Sequence, residues 1–179
     1  MMNGKEIIKL LQSAGWKHTS TRGSHYKMKN LIELVYGAKI KRDGDGYLVT
    51  FRDVKNAFTG GETYEEAIFN AREVLDLMLL DRIEKDDDIP EPSRLRKNEI
   101  PVMPSPDVAA PVLLHILRKN TKYTLAEVAK AMHVPYQSYQ RMESSGKNLT
   151  MKSIKRAAQA MGATVEIRLH LIDTLTHAA

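Results

Sequence analysis

A chain of 179 residues, 42% hydrophobic and 27% charged, has room for one globular domain or two small ones. It holds no cysteine, which excludes a disulfide frame and a thiolate metal centre and fits a reducing cytoplasm. No apolar run approaches the ~18 residues of a membrane span, and charges interrupt the N-terminal MMNGKEIIKLLQSAGW where a signal peptide needs an apolar core.

In chain order, Ile7, Ile8, Leu10, Leu11 and Ala14 recur at helical spacing and Gly15 stops them, which predicts a helix over 4–14. Trp16–Thr21 and His25–Met28 predict a hairpin turning at Arg22-Gly23-Ser24. These first 30 residues, read as a segment of their own, are too few to bury a core. The next segment, 31–93, opens with strands at about 34–42 and 47–52 around the turn Asp43-Gly44-Asp45-Gly46. A short strand near Ala57-Phe58 leads through Gly60-Gly61 to a helix. Thr63 and Glu66 form its capping box, and Ala67, Ile68, Ala71, Val74, Leu75 and Met78 share one side. The fold class expected here is α+β, a small antiparallel sheet under one helix. Lys85-Asp86-Asp87-Asp88 ends that helix. Ile89-Pro90-Glu91-Pro92-Ser93 opens a stiff stretch, and 94–106, with Pro101, Pro104 and Pro106, reads as a linker.

Residues 107–172 carry four helical patterns, at about 107–119, 124–132, 135–143 and 150–161. They close with an alternating strand, Thr164-Val165-Glu166-Ile167-Arg168-Leu169-His170-Leu171, and a tail, 173–179. That strand has no mate inside a helical bundle, so it is expected to pair with a second subunit and give a homodimer or higher oligomer.

The second and third of these patterns form a helix-turn-helix. Thr124 and Glu127 make a capping box, Leu125, Val128, Ala129 and Met132 form the apolar face, and Pro135 suits the start of the second helix. Tyr139 and Met142 turn inward, leaving Tyr136, Gln137, Gln140 and Arg141 outward, as on a helix that enters the major groove. Glutamine pairs with adenine and arginine with guanine or phosphate, while tyrosine can touch a thymine methyl. Residues 118–156 hold nine Lys/Arg against two acids. Among them Lys122, Lys147, Lys152 and Lys155 read as phosphate contacts, which position without specifying. Operator DNA is the partner these residues suggest. A solvated helical face is the plainer reading of the charge alone.

Elsewhere the charge divides: residues 1–30 carry six Lys/Arg and one acid, and residues 31–98 carry eleven against fifteen. The acidic middle suits docking of a basic protein. Neither the run Asp86-Asp87-Asp88 nor the histidines (His18, His25, His115, His133, His170, His177) show metal-ligand spacing, so neither a metal nor a cofactor is expected. His25 is the candidate for general acid–base chemistry.

These segments resemble the two components of the HicA/HicB toxin–antitoxin family. Residues 34–93, with FTGGETYEEAIFNAREVLDLML and the IPEPS run, resemble the HicB antitoxin body, which implies a partial RNase H-like fold that binds a toxin. Residues 107–171 resemble the Cro/repressor-type helix-turn-helix at the C-terminus of many HicB proteins, with His133 standing where glycine is common at the turn. Residues 4–28 resemble the first half of a HicA toxin, an mRNA-cleaving nuclease of double-stranded-RNA-binding-like fold whose G-S-H motif supplies the catalytic histidine. Gly23-Ser24-His25 stands at that place. The third strand and closing helix of a toxin do not follow. The resemblance therefore implies a non-enzymatic antitoxin that neutralises a HicA-like toxin and represses its own operon, with residues 1–30 an inert remnant. The alternatives are a HicA/HicB fusion that cleaves RNA through His25, or a transcriptional regulator whose middle domain senses a ligand.

Overall fold

A computed structural model describes residues 4–13, 16–22, 25–144 and 149–167. Helix α1 (Gly4–Ser13) precedes a hairpin of β1 (Trp16–Arg22) and β2 (His25–Asn30), which forms a two-stranded sheet of its own. A second, four-stranded sheet follows with strand order β5-β4-β3-β6. It comprises β3 (Tyr36–Asp43), β4 (Gly46–Phe51), β5 (Phe58–Gly61) and β6 (Ile100–Val102), every neighbour antiparallel.

Helix α2 (Tyr64–Glu84) lies across this sheet. Thr63 caps it by accepting from Glu66 N at 3.1 Å, and Glu66 reaches back to accept from Glu62 N at 2.8 Å. Ala67, Ala71, Leu75, Leu79 and Ile83 recur every four residues, so one stripe of α2 packs on Tyr36, Ala38, Val49 and Phe51. Gly61 is needed where the helix start meets β5, because a Cβ there would lie 2.5 Å from Ala67 N.

The segment read as a linker is partly sheet. Ile100 and Val102 pair with Ala38 and Tyr36 across β3, making β6 an edge strand on which Pro101 is tolerated. The proline run hid a short apolar alternation. The stretch before β6 is strapped down as well. Tyr36 Oη donates to Pro90 O (2.9 Å), Ser93 N and Oγ both donate to Asp53 (2.8 Å each), and Arg52 bridges to Arg94 O and Glu99.

Four helices follow: α3 (Pro106–Thr121), α4 (Leu125–Ala131), α5 (Tyr136–Ser144) and α6 (Met151–Ala160). Helix α3 spans two cores. Val108 and Val112 join the sheet–α2 core, while Leu114 joins Val128, Ala129, Met132, Tyr139, Ala157 and Met161 in the bundle. Of the expected final strand, residues 164–167 form no ladder in this single chain and 168–171 lie outside the described residues.

Candidate nucleic-acid interface and its anchor

The helix pair is α4 and α5. Thr124 Oγ1 accepts from Glu127 N at 3.2 Å, and Glu127 Oε2 accepts from Thr124 N at 2.8 Å. The bond from Thr124 N, and a second from the Thr124 hydroxyl, which donates to the same Oε2 at 2.8 Å, hold the Glu127 carboxyl below its usual range. After Met132 the chain turns at His133, whose φ of 53° is left-handed. His133 N donates to Lys130 O and Val134 N to Ala129 O, each at 3.0 Å, while Val134 packs into the same core as Ala129. This is a Schellman ending with histidine at the position glycine usually takes.

Tyr136, Gln137, Gln140 and Arg141 all lie on the exposed side of α5. Tyr139 is fully buried behind them, over Ala129 and Met161. Lys152 and Lys155 are exposed on α6, and Lys122 is exposed at the left-handed end of α3. Lys147 lies outside the described residues. Helix α6 is tied to the turn by Arg156 Nη2, which donates to Met132 O at 2.6 Å.

Two charges counted with the surface cations and acids are buried. Arg118 Nε donates to Glu143 Oε1 (2.9 Å) and Oε2 (3.0 Å), while its Nη2 donates to Asp86 Oδ1 (2.7 Å). His115 Nε2 lies 2.9 Å from Asp87 O, an acceptor only, so that nitrogen carries the proton. Its Nδ1 lies 3.3 Å from Arg118 Nη2 and 3.4 Å from Glu143 Oε2. Burial pushes the Glu143 carboxyl up. Bonds from His115, Arg118 and Tyr139 outweigh it, so the net displacement is downward. Burial, with the Glu143 charge beside it, raises the Tyr139 hydroxyl. Asp86 is exposed, as expected of a solvated acidic run, yet its carboxylate is paired: partial desolvation raises it, and Arg118 and Lys119 outweigh that and hold it low. A one-dimensional charge count could not find this network. Its one signal was Glu143 four residues beyond the inward-turning Tyr139, on the same face of α5.

The profile of the HicB_like antitoxin of bacterial toxin-antitoxin systems matches residues 35–110, and a helix-turn-helix profile matches 114–167. Antitoxin HicB 2 of Photorhabdus laumondii is 34% identical over 136 residues, covering 74% of this chain and 94% of that protein. Antitoxin HicB of Escherichia coli is 30% identical over 123 residues, 68% of this chain and 88% of its own length. The chain belongs to the HicB antitoxin family.

The HicB body presents a second surface. Opposite its buried stripe, α2 exposes Phe69 (64%) and Leu77 (67%), fringed by Glu66, Glu73 and Glu84. A helix apolar on both sides is normally covered on both sides, and here one is open. Toward the end of α2 a groove of about 510 Å³ is lined by Leu77, Leu80, Asp81, Glu84 and by Ser144, the last residue of α5.

At the other end of the chain, His25 begins β2, paired in register with Arg22. Its side chain, with Gly23 and Ser24, lies outside the described residues. The β1–β2 sheet does not join the four-stranded sheet, so β3 is not the third strand of a toxin-like sheet. No group of three or more His, Asp or Glu placed to hold a metal occurs among the described residues, and none of their helices is long and apolar enough to cross a membrane.

Proposed function

We propose that this HicB-family chain neutralises a HicA-like, mRNA-cleaving toxin by covering it with the body at 31–93, and represses its own operon through the helix-turn-helix. The observation that carries this reading is that one chain has two outward faces of opposite character. Tyr136, Gln137, Gln140 and Arg141 stand exposed on α5, and Glu66, Glu73 and Glu84, with Arg72 among them, flank the exposed Phe69 and Leu77 on α2. The first suits base edges and phosphates. The second suits a basic, apolar-centred protein surface. Operon repression would use two copies, each reading a half-site. Val165 and Ile167, alternate apolar residues on an exposed, unladdered segment, support pairing through the C-terminal strand. The chain acts by binding alone, and residues 1–30 stay inert.

Co-expression with a HicA-type toxin encoded beside this gene tests the reading. The toxin is expected to co-purify with the full chain and to be lost from a Phe69→Lys, Leu77→Lys double variant. Co-purification indifferent to those changes would contradict the α2 surface. RNA cleavage by the chain alone, abolished by His25→Ala, would favour the fusion reading instead.

A further inference from the structure

Asp86 belongs to the body, yet its nearest charged partners belong to the DNA-binding half. It follows the last turn of α2, where Asp86 N donates to Ile83 O (3.0 Å) and Asp87 N to Arg82 O (2.8 Å). That makes another Schellman ending, with Asp86 at φ 53°, a backbone that favours glycine. The strained aspartate delivers its carboxylate to Arg118 Nη2 at 2.7 Å and Lys119 Nζ at 3.3 Å. The same Arg118 grips Glu143 with Nε, and Glu143 is the penultimate residue of α5, three beyond Gln140. A chain of three side chains therefore runs from the end of α2 to the base of the recognition helix.

We infer that Asp86 is a positioning residue for sequence reading by α5, acting through Arg118 and Glu143. The guanidinium is planar, and its Nε and Nη2 are each committed to a different carboxylate. Asp86 thus fixes the plane in which Arg118 presents Nε, and with it the pitch of α5 about buried Tyr139. Without Asp86 the Arg118–Glu143 pair persists, but Arg118 Nη2 loses its 2.7 Å carboxylate and keeps only the His115 ring, 3.3 Å away. Hydrogen bonds to base edges tolerate little misplacement, whereas phosphate contacts by flexible lysines tolerate much. The loss is therefore expected in specific and not in non-specific binding. Because Asp81 and Glu84, which line the groove beside Ser144, lie within the same last turns of α2, a partner seated there stands next to this linkage.

The inference rests on the DNA-binding reading, and its test separates the two. Duplexes are selected from a randomised library with the full wild-type chain, and binding is then compared for Asp86→Gly and Asp86→Asn on the selected duplex and on random-sequence DNA. Glycine suits the left-handed backbone, so that variant keeps its fold. It is expected to lose about tenfold on the selected duplex and nothing on random DNA. Asparagine keeps an oxygen for Arg118 Nη2 and is expected to restore most of the affinity. An Asp86→Gly variant that binds the selected duplex like wild type overturns the inference, as does a loss that follows a lowered thermal midpoint and is not restored by asparagine. If the wild type enriches no sequence, the DNA-binding reading falls first and takes this inference with it.

Discussion

Arg118 meets Glu143 with one nitrogen shared between two oxygens, at 2.9 and 3.0 Å, and both side chains are almost wholly removed from water. The pair joins α3, which spans both cores, to the inner side of α5. Removing one partner leaves the other charge buried and uncompensated. Arg118→Met or Glu143→Gln is therefore expected to cost about 3–5 kcal/mol in urea unfolding. The Arg118→Met, Glu143→Met double change should cost clearly less than the two singles together, since no lone charge remains. Additive losses would mean that the pair is not coupled.

The same group sets an acid limb. The carboxyls of Glu143, Asp86 and Asp53 are each pushed up by burial, but hydrogen bonds and neighbouring cations bring them net below their usual range. A carboxyl whose folded pKa is depressed stabilises the fold above its unfolded value, and that stability disappears as pH falls through the folded value. Stability from these three is thus expected to hold above about pH 5 and to decline below about pH 4. Urea midpoints measured across that range should show Glu143→Gln with a shallower decline than wild type. Equal slopes would remove Glu143 from the acid limb.

His133 carries a left-handed backbone at the turn of the helix pair. Substitution by glycine removes a strain of about 1–2 kcal/mol, offset in part by the greater freedom of glycine in the unfolded chain. His133→Gly is expected to raise stability by about 0.5–1 kcal/mol, with the thermal midpoint rising by a few degrees. A lowered midpoint would show that the imidazole itself contributes.

Capping boxes and periodicity made most of the fold legible. Thr63 and Thr124 start helices where the sequence places them, and the Asp43-Gly44-Asp45-Gly46 turn pairs β3 with β4. Helix ends were legible to within a residue or two, although Asp86, Lys122 and His133 occupy left-handed positions that glycine would have marked, as Gly162 does after α6. β6 was hidden by Pro101, since an edge position forgives the missing N–H and a proline-rich stretch looks like a linker. The exposed face of α5 was legible from spacing. Its anchor was not, because Asp86, Arg118 and Glu143 lie far apart in sequence and two of them carry charges usually assigned to the surface.

Within the proposed DNA-binding surface, Gln137 on α5 and Lys152 on α6 are expected to differ in kind. Gln137→Ala should cost about 1–3 kcal/mol at one base pair and relax preference there. Lys152→Ala should weaken all sequences alike and flatten the dependence of binding on salt. Band shifts across a salt series separate the two effects, and matching behaviour of both variants would refute the division.

On the proposed function, this chain silences a nuclease by covering it. The most direct test is a titration of purified full-length chain into a HicA-type toxin, encoded beside the gene, while the toxin cleaves a test mRNA. Cleavage is expected to fall in proportion to added chain and to stop once the toxin is saturated, with the chain alone leaving the mRNA intact. Undiminished cleavage in the presence of excess chain would contradict the account.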